Sequence, residues 1–287
     1  SLASNPSPGA PSRMSQAPFK AAAVPPRPAA TVVILRDGPS GLETFMVVRH
    51  HEIDFASGAL VFPGGKVDKP DSDPFWQDRA PQVGAAPEHA YWIAAARETF
   101  EEAGLLLARK RGAAALLSQQ DTHRIIGAYR PRLLNNEGSF ADLIRGEDLE
   151  IATDLMVHYA HWITPVGVPK RFDTHFLMVA APADQLGAAD GSESVDGLWI
   201  SPARAIADGD AGRRTLVPAT RMNLKKITPF GTVAEAMTVT RASKVVTVLP
   251  EVERRPDGRV VKIPIEAGYG ISEYFVASGQ PTASGKA

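Results

Sequence analysis

The chain of 287 residues contains no cysteine, and this absence removes several classes of function at once. Disulfide frameworks, thiolate metal sites and cysteine nucleophiles are excluded, so any metal must be held by oxygen or imidazole ligands. The chain also lacks an apolar run long enough to span a bilayer and an apolar N-terminal secretion signal. A formal net charge of −1 provides no basic excess for nucleic acid or a membrane surface. We therefore expect a cytoplasmic protein with neither partner.

Large apolar residues are nearly absent from residues 1–28, which are rich in Pro, Ser and Ala. Such a composition does not favour folding, so we expect a disordered arm there. β-Branched residues and turn signals then predict strands at Ala30–Leu35, Leu42–Arg49 and Ala59–Phe62. The later pattern mixes strands with helices. The fold class predicted is α+β, with a mixed β-sheet between α-helices.

The domain boundaries follow from composition and periodicity. We predict one domain over residues 29–225 and a C-terminal extension over residues 226–287. Prolines and mixed charge at residues 66–86 predict a surface insertion without regular structure. Residues 112–160 are predicted to be helical in pieces. Within the extension, Val245–Val248 and Arg259–Ile265 predict a hairpin with its turn at residues 255–258.

Glu98, Glu101 and Glu102 are the most informative residues of the chain. A helix is predicted from Pro87 to the residue before Gly104, and residues three and four apart share a helix face. Carboxylates so close repel one another, so they need a neighbouring arginine such as Arg97 or a divalent cation. The alternative is a solvated acidic helix face, which is the usual role of such a sequence.

A glycine pair before this helix favours the metal site over the acidic face. Phe62-Pro63-Gly64-Gly65 follows a predicted strand, and glycine allows the backbone to approach a ligand closely. The carbonyl oxygen of Gly64 could then join the carboxylates around a hard cation.

Together these residues resemble the Nudix box. That motif reads Gly, five residues, Glu, seven residues, Arg-Glu, an apolar residue, one residue, Glu-Glu, one residue, Gly. Gly65 is similar to its first glycine, and the segment 97–104 matches its second half in register. Thr99 stands where an aliphatic residue is usual.

The spacing inside the box departs from the motif. Residues 66–96 separate Gly65 from Arg97, where the motif has about thirteen, so roughly eighteen residues are inserted. The middle glutamate of the motif therefore has no clear equivalent. The candidates are Glu88, His89 and Asp68, and the role stays unassigned.

The resemblance implies the Nudix fold and cleavage of a phosphoanhydride bond with Mg²⁺ or Mn²⁺ as cofactor. It implies that Glu98 is the general base or a bridging ligand, and that Glu101 and Glu102 are metal ligands beside the Gly64 carbonyl. Arg97 would orient the cluster. The expected partner is a small nucleotide-type molecule, and a homodimer is an assembly to be tested.

An insertion inside the box also resembles the coenzyme A diphosphatase branch of the family. Arg49, Phe55 and Gly58, followed by the FPGG sequence, are similar to the arrangement before the box in that branch. Arg49 and Arg171 could clamp phosphate oxygens through their forked donors, although each could equally form a surface ion pair. Glu193 resembles a late loop glutamate that some Nudix enzymes use as base or ligand, with a solvated loop acid as the alternative.

The substrate implied is coenzyme A or an acyl derivative, giving 3′,5′-ADP and a phosphopantetheine. Two alternatives remain at this stage. One is a nucleotide-sugar, ADP-ribose or dinucleotide pyrophosphatase, because the box is common to all of them. The other is a catalytically silent Nudix-fold binding module, against which the three intact glutamates argue.

Overall fold

The structure, a computed structural model, describes residues 23–49, 58–186 and 197–279. The strands that it contains are β1 (Arg27–Gly38), β2 (Gly41–Arg49), β3 (Ala59–Val61), β4 (Gly64–Lys66), β5 (Ala108–Lys110), β6 (Leu149–Ile151), β7 (Met156–Ile163), β8 (Phe172–Ala180), β9 (Gly197–Ile200), β10 (Thr247–Val248), β11 (Glu251–Arg255), β12 (Gly258–Lys262) and β13 (Glu273–Ala277). The helices are α1 (His89–Ala103), α2 (Gln119–Leu134), α3 (Phe140–Gly146), α4 (Pro202–Asp210), α5 (Pro218–Ile227) and α6 (Val233–Ala242). Short 3-10 helices cover Lys69–Ser72, Pro74–Asp78, Thr153–Leu155, Ala183–Gln185 and Ile265–Ala267.

An eight-stranded mixed sheet forms the centre of the molecule. Its strands run in the order β10-β7-β8-β1-β2-β3, with β4 paired to β1 and β9 paired to β2. The pairing of β1 with β8 is parallel, whereas β1 pairs with β2 and β4 antiparallel. Two smaller sheets, β5-β6 and β11-β12-β13, lie outside it.

Helices cover both faces of the central sheet. Successive side chains of a strand point to opposite faces, and in β1 both sets are apolar, so both faces need cover. Val32 and Ile34 of β1 pack into a core with α1, and Val33 and Leu35 pack into a second core with α5 and α6. All four residues are fully buried. The predicted α+β class, a mixed sheet between helices, is confirmed.

The inserted segment 66–86 differs in part from the prediction. It contains 3-10 helices and no strand after Lys66, as expected of a loop. It is not confined to the surface, because Trp76 is 2% exposed and stacks on Phe140 of α3 with ring centroids 5.9 Å apart. A large aromatic ring gains stability from burial, and a prediction based on prolines and charge missed that contribution.

Two further element predictions are corrected. The helical segment predicted for residues 112–160 contains α2 and α3, but from Met156 the chain is strand β7, whose β-branched and aromatic residues suit a sheet. The C-terminal hairpin has its turn at the predicted position, but its first arm is β11 (Glu251–Arg255). Residues Thr247–Val248 pair with β7 in the central sheet instead.

The ends of several elements also move. Helix α1 begins at His89 and not at Pro87, and β1 begins at Arg27, inside the predicted arm; residues 1–22 lie outside the described part. Helix α6 was not predicted. The division into a domain ending at residue 225 and an extension stays a prediction, although α5 continues across it to Ile227. None of the described helices is long and apolar enough to cross a bilayer.

Candidate active site

The three glutamates lie in the last turns of α1, on the side that faces strand β4. The helix ends at Gly104, which adopts a left-handed conformation with φ of 65° and donates its N–H to the carbonyl oxygen of Phe100. Glycine suits this position because it lacks a Cβ. Glu98 is 7% exposed, and the side chains of Glu101 and Glu102 are 25% and 24% exposed. The carboxylates are therefore partly withdrawn from water, unlike those of a solvated acidic face.

Gly64 and Gly65 allow β4 to lie directly against these carboxylates. The Gly64 N–H donates to Glu102 Oε2 at 2.9 Å. A Cβ at Gly65 would lie 2.3 Å from Glu98 Oε1, and one at Gly64 would lie 2.5 Å from the carbonyl oxygen of Ala30. Both distances are far below van der Waals contact, so a side chain at Gly64 would clash with backbone, and one at Gly65 would displace the Glu98 carboxylate. The expected meeting of Gly64 and Glu102 across the insertion is observed.

Arg97 is the cation nearest to the cluster. Its Nη1 donates to Glu98 Oε1 at 2.8 Å and, at 3.4 Å, to Glu101 Oε2. Its other donors are held by Asp71, with Nε–Oδ1 at 3.0 Å and Nη2–Oδ2 at 2.9 Å, and by the carbonyl of Lys66 at 3.0 Å. This forked contact fixes the guanidinium plane, so Arg97 presents one edge to the glutamates.

Asp71 joins the candidate site through its contact with Arg97, and the sequence pattern did not predict it. It is 3% exposed and lies in the 3-10 helix Lys69–Ser72 at the start of the insertion. Five residues (66–70) separate Gly65 from Asp71, so Asp71 stands at the motif's middle acidic position, with Asp in place of Glu. The count made backwards from Arg97 led instead to His89, which contacts the carbonyl oxygen of Ala80 at 3.1 Å.

The electrostatics of the cluster favour a bound cation. Burial raises the pKa of Glu98 to about 7; the Arg97 guanidinium opposes this rise, and the charges of Glu102 and Glu101 add to it. Burial also raises the pKa values of Glu101 and Glu102, against the lowering influence of Arg97 and Arg49 respectively. The described arginines therefore leave negative charge uncompensated. Carboxylates with one backbone carbonyl are the ligands that hard divalent cations prefer, so the residues fit such an ion.

Arg49 links this cluster to a cavity. Its Nη2 donates to the carbonyl oxygen of Gly64 at 3.2 Å and lies 3.9 Å from Glu102 Oε1. Arg49 and Gly64 both line a cavity of about 760 Å³. Its floor includes Thr31 and Thr174 of the central sheet, and its opposite wall is the sheet β11-β12-β13. This volume is in the range of small-molecule sites.

Arg171, a predicted substrate residue, has no described contact with this cluster. Arg171 is 7% exposed and donates to the carbonyl oxygens of Thr164, at 3.0 Å, and Val24, at 2.8 Å. Its described contacts tie the backbone together, and its predicted role in phosphate binding stays a prediction. Glu193 and Phe55 lie outside the described residues.

A second group of metal-ligand types lies on β7 and β8. Among the described residues, the ligand atoms of His161, Asp173 and His175 all lie within 4.8 Å of one another. His161 Nε2 is 2.5 Å from Asp173 Oδ1, and its Nδ1 is 2.7 Å from Thr247 Oγ1, so both ring nitrogens already have hydrogen-bond partners. The rings of His161 and His175 stack at 3.7 Å. We interpret this group as a hydrogen-bonded network and the glutamates as the better metal site.

A mixed sheet between helices, with a glycine loop leading to a helix that carries Arg-Glu and Glu-Glu, is the architecture of a Nudix hydrolase domain. Comparison with known families agrees. The NUDT19 Nudix domain family matches residues 72–225, more than half of the chain, and the chain belongs to this family.

Individual proteins are similar to this chain over part of their length. The acyl-coenzyme A diphosphatase NUDT19 of Xenopus laevis is 23% identical over 241 residues, which cover 70% of this chain and 63% of that protein. Its namesake from Gallus gallus is 28% identical over 215 residues, covering 59% of this chain and 56% of that protein. The chain thus spans less than two thirds of the length of either relative. A crystal structure of a Nudix hydrolase from Alicyclobacillus acidocaldarius aligns with a TM-score of 0.58 at 25% identity, covering 75% of this chain and 96% of the other.

Proposed function

We propose that the chain is a metal-dependent diphosphatase that hydrolyses the pyrophosphate bond of coenzyme A or an acyl-coenzyme A. The observation that carries this proposal is the contact of the carboxylate cluster with the cavity wall, where the Gly64 N–H donates to Glu102. The family and the names of the two vertebrate relatives support the substrate class.

Mg²⁺ or Mn²⁺ is the proposed cofactor, and Glu98, Glu101, Glu102 and the Gly64 carbonyl oxygen are its proposed ligands. Nudix hydrolases generally use divalent metals. When bound, the cation would offset the charge of the pyrophosphate and make an attacking water more acidic.

The chain's own residues would do the following. Hydrolysis forms a bond from a water oxygen to phosphorus and breaks the bond from that phosphorus to the bridging oxygen. Glu98 is the proposed acceptor of the water's proton, because it is the most buried of the three glutamates and is held in place by Arg97. Arg97 holds Glu98 in position through their 2.8 Å contact and is itself held by Asp71.

Arg49 is the proposed phosphate ligand of this chain. In this structure its side chain donates to the Gly64 carbonyl oxygen, which is the oxygen proposed to bind the cation. We propose that it exchanges this contact for a phosphate oxygen when cation and substrate bind, since its forked donors match two oxygens of one phosphate.

The test is an assay of the purified chain with Mg²⁺ and coenzyme A, analysed by chromatography. The expected products are 3′,5′-ADP and 4′-phosphopantetheine, and chelation of the metal should abolish them. Arg49→Ala should reduce hydrolysis of coenzyme A and of ADP-ribose alike, because both contain the pyrophosphate that Arg49 is proposed to bind. If coenzyme A gives no products and ADP-ribose, a nucleotide sugar or a dinucleotide is cleaved rapidly, the protein is instead a pyrophosphatase for that compound. Binding of these compounds without any cleavage would support a catalytically silent module.

A further inference from the structure

The wall of the cavity opposite the central sheet is one face of the sheet β11-β12-β13. The side chains that share this face alternate along each strand, and all of them line the cavity: Val252, Arg254, Arg259, Val261, Tyr274 and Val276. The other face carries Glu253, which pairs with Arg255 and with Lys262; Arg255, next to the hairpin turn, also reaches the cavity. The two faces of this small sheet thus differ in their charge balance.

The cavity-facing side carries two arginines side by side. Arg254 of β11 and Arg259 of β12 are direct partners in the antiparallel register. Directly opposite residues of neighbouring strands have their Cβ atoms about 5 Å apart, and like charges in this position repel. Among the described residues, no carboxylate lies within 4.0 Å of either guanidinium, whereas Arg255 on the other face bonds Glu253 at 3.2 Å. An anion in the cavity would relieve the repulsion.

We propose that Arg254 and Arg259 form a subsite for a phosphate monoester, which in the substrate is the ribose 3′-phosphate. This inference rests on the proposed function, because the scissile pyrophosphate is taken to lie at the Gly64 and Arg49 side of the same cavity. A monoester carries a charge near −2 at neutral pH and offers three acceptor oxygens, which suits two guanidinium forks. Each phosphate of a pyrophosphate diester carries a single charge and needs one such partner.

The position of the pair makes it a determinant of specificity. ADP-ribose, nucleotide sugars and dinucleoside diphosphates contain the same pyrophosphate but lack the monoester. The box residues act on the bond that all these compounds share, and so they cannot distinguish the substrates. An unneutralised arginine pair in the cavity would favour the compound that brings an additional dianion.

Binding measured without metal tests the subsite apart from catalysis. The full chain in EDTA is titrated calorimetrically with 3′,5′-ADP and, in parallel, with 5′-AMP, which lacks only the 3′-phosphate. We expect tighter binding of 3′,5′-ADP by roughly tenfold or more, since each contact is a charge-assisted hydrogen bond. The double variant Arg254→Gln/Arg259→Gln should lose this preference. Lys262→Gln, which removes a cation from the other face of the same hairpin, is the matched control and should keep it. Inorganic phosphate is the third titrant. It should bind more weakly than 3′,5′-ADP, and equal affinity would mean that the arginines form a general anion site.

Kinetics separate this inference from the function on which it rests. In the double variant kcat/KM for coenzyme A should fall roughly tenfold or more, while kcat/KM for 3′-dephospho-coenzyme A should not change. Hydrolysis of both at wild-type rates would overturn the subsite and leave the function standing. A 3′,5′-ADP preference that is lost in the variant, in a protein that cleaves no coenzyme A, would uphold the subsite and refute the function. The variants should fold, because they remove a repulsion, and an unchanged or higher Tm checks this.

Discussion

Replacing Glu98 by glutamine should stabilise the metal-free protein at pH 8 and change it little at pH 5. Burial raises the pKa of this carboxyl from 4.5 to about 7, with Arg97 opposing the rise and Glu102 and Glu101 adding to it. A raised pKa means that the protonated form stabilises the fold. Its contribution is complete below pH 4.5 and is lost as the pH rises through about 7. Glutamine is uncharged at every pH, and its carbonyl oxygen can still accept from Arg97.

The magnitude follows from the same values. A rise from 4.5 to about 7 corresponds to about 3 kcal/mol at most, since each pKa unit is worth about 1.4 kcal/mol. Local relaxation lowers this, so we expect about 2 kcal/mol at pH 8. For a protein of this size that is roughly 4–8 °C in Tm.

Differential scanning calorimetry in EDTA at pH 5 and pH 8 measures this effect. Glu137→Gln, at an exposed position after α2, is the matched control and should shift Tm equally at both pH values. Adding Mg²⁺ at pH 8 should raise the Tm of the unmodified protein more than that of the variant, because a ligand stabilises the state that binds it. A difference in Tm between variant and unmodified protein that is the same at pH 5 and pH 8 would refute the reasoning.

Substitutions at four other positions test the site. Glu102→Gln should lower Mg²⁺-dependent turnover by orders of magnitude with the fold intact, whereas His161→Ala should leave the metal requirement unchanged. The reverse result would mean that the histidines bind the metal. Gly65→Ala should lower kcat at least roughly tenfold, because a Cβ would lie 2.3 Å from Glu98 Oε1, and normal turnover at unchanged circular dichroism would contradict this. Asp71→Asn should loosen Arg97 and raise the Mg²⁺ concentration needed for half-maximal activity by roughly 10–100-fold. Asp71→Glu keeps the charge and should need nearly the same Mg²⁺ concentration as the unmodified protein. An Asp71→Glu variant as impaired as Asp71→Asn would mean that Asp71 acts only in folding.

Local patterns predicted most of what is local in this molecule. The helix that ends at Gly104 follows from spacing within a few residues, and so does the common face of Glu98 and the two later glutamates. The turn at residues 255–258 was predicted correctly because a Pro-Asp-Gly sequence determines it. Its partner strand was not, because Thr247–Val248 pairs with β7, and that choice depends on a distant strand.

The parts of the site that were missed depend on contacts across the insertion. Asp71 could have been found by counting forward from Gly65, but Arg97 is 26 residues away from it in sequence, and only the fold joins them. The hydrogen-bond partners of Arg171 could not be predicted from the sequence either. Its bonds to Thr164 and Val24 connect segments that no local pattern relates.

The C-terminal sheet gives the cavity a wall that lies outside the family match. The match covers residues 72–225, whereas β11, β12 and β13 lie between Glu251 and Ala277. Two proteins could therefore share every residue of the box and still differ in the compounds they admit. Substrate preference in such proteins can change through exchange of a terminal hairpin, with the reactive centre left untouched. Classification by the box alone would group enzymes by the bond they break and not by the molecule that carries it.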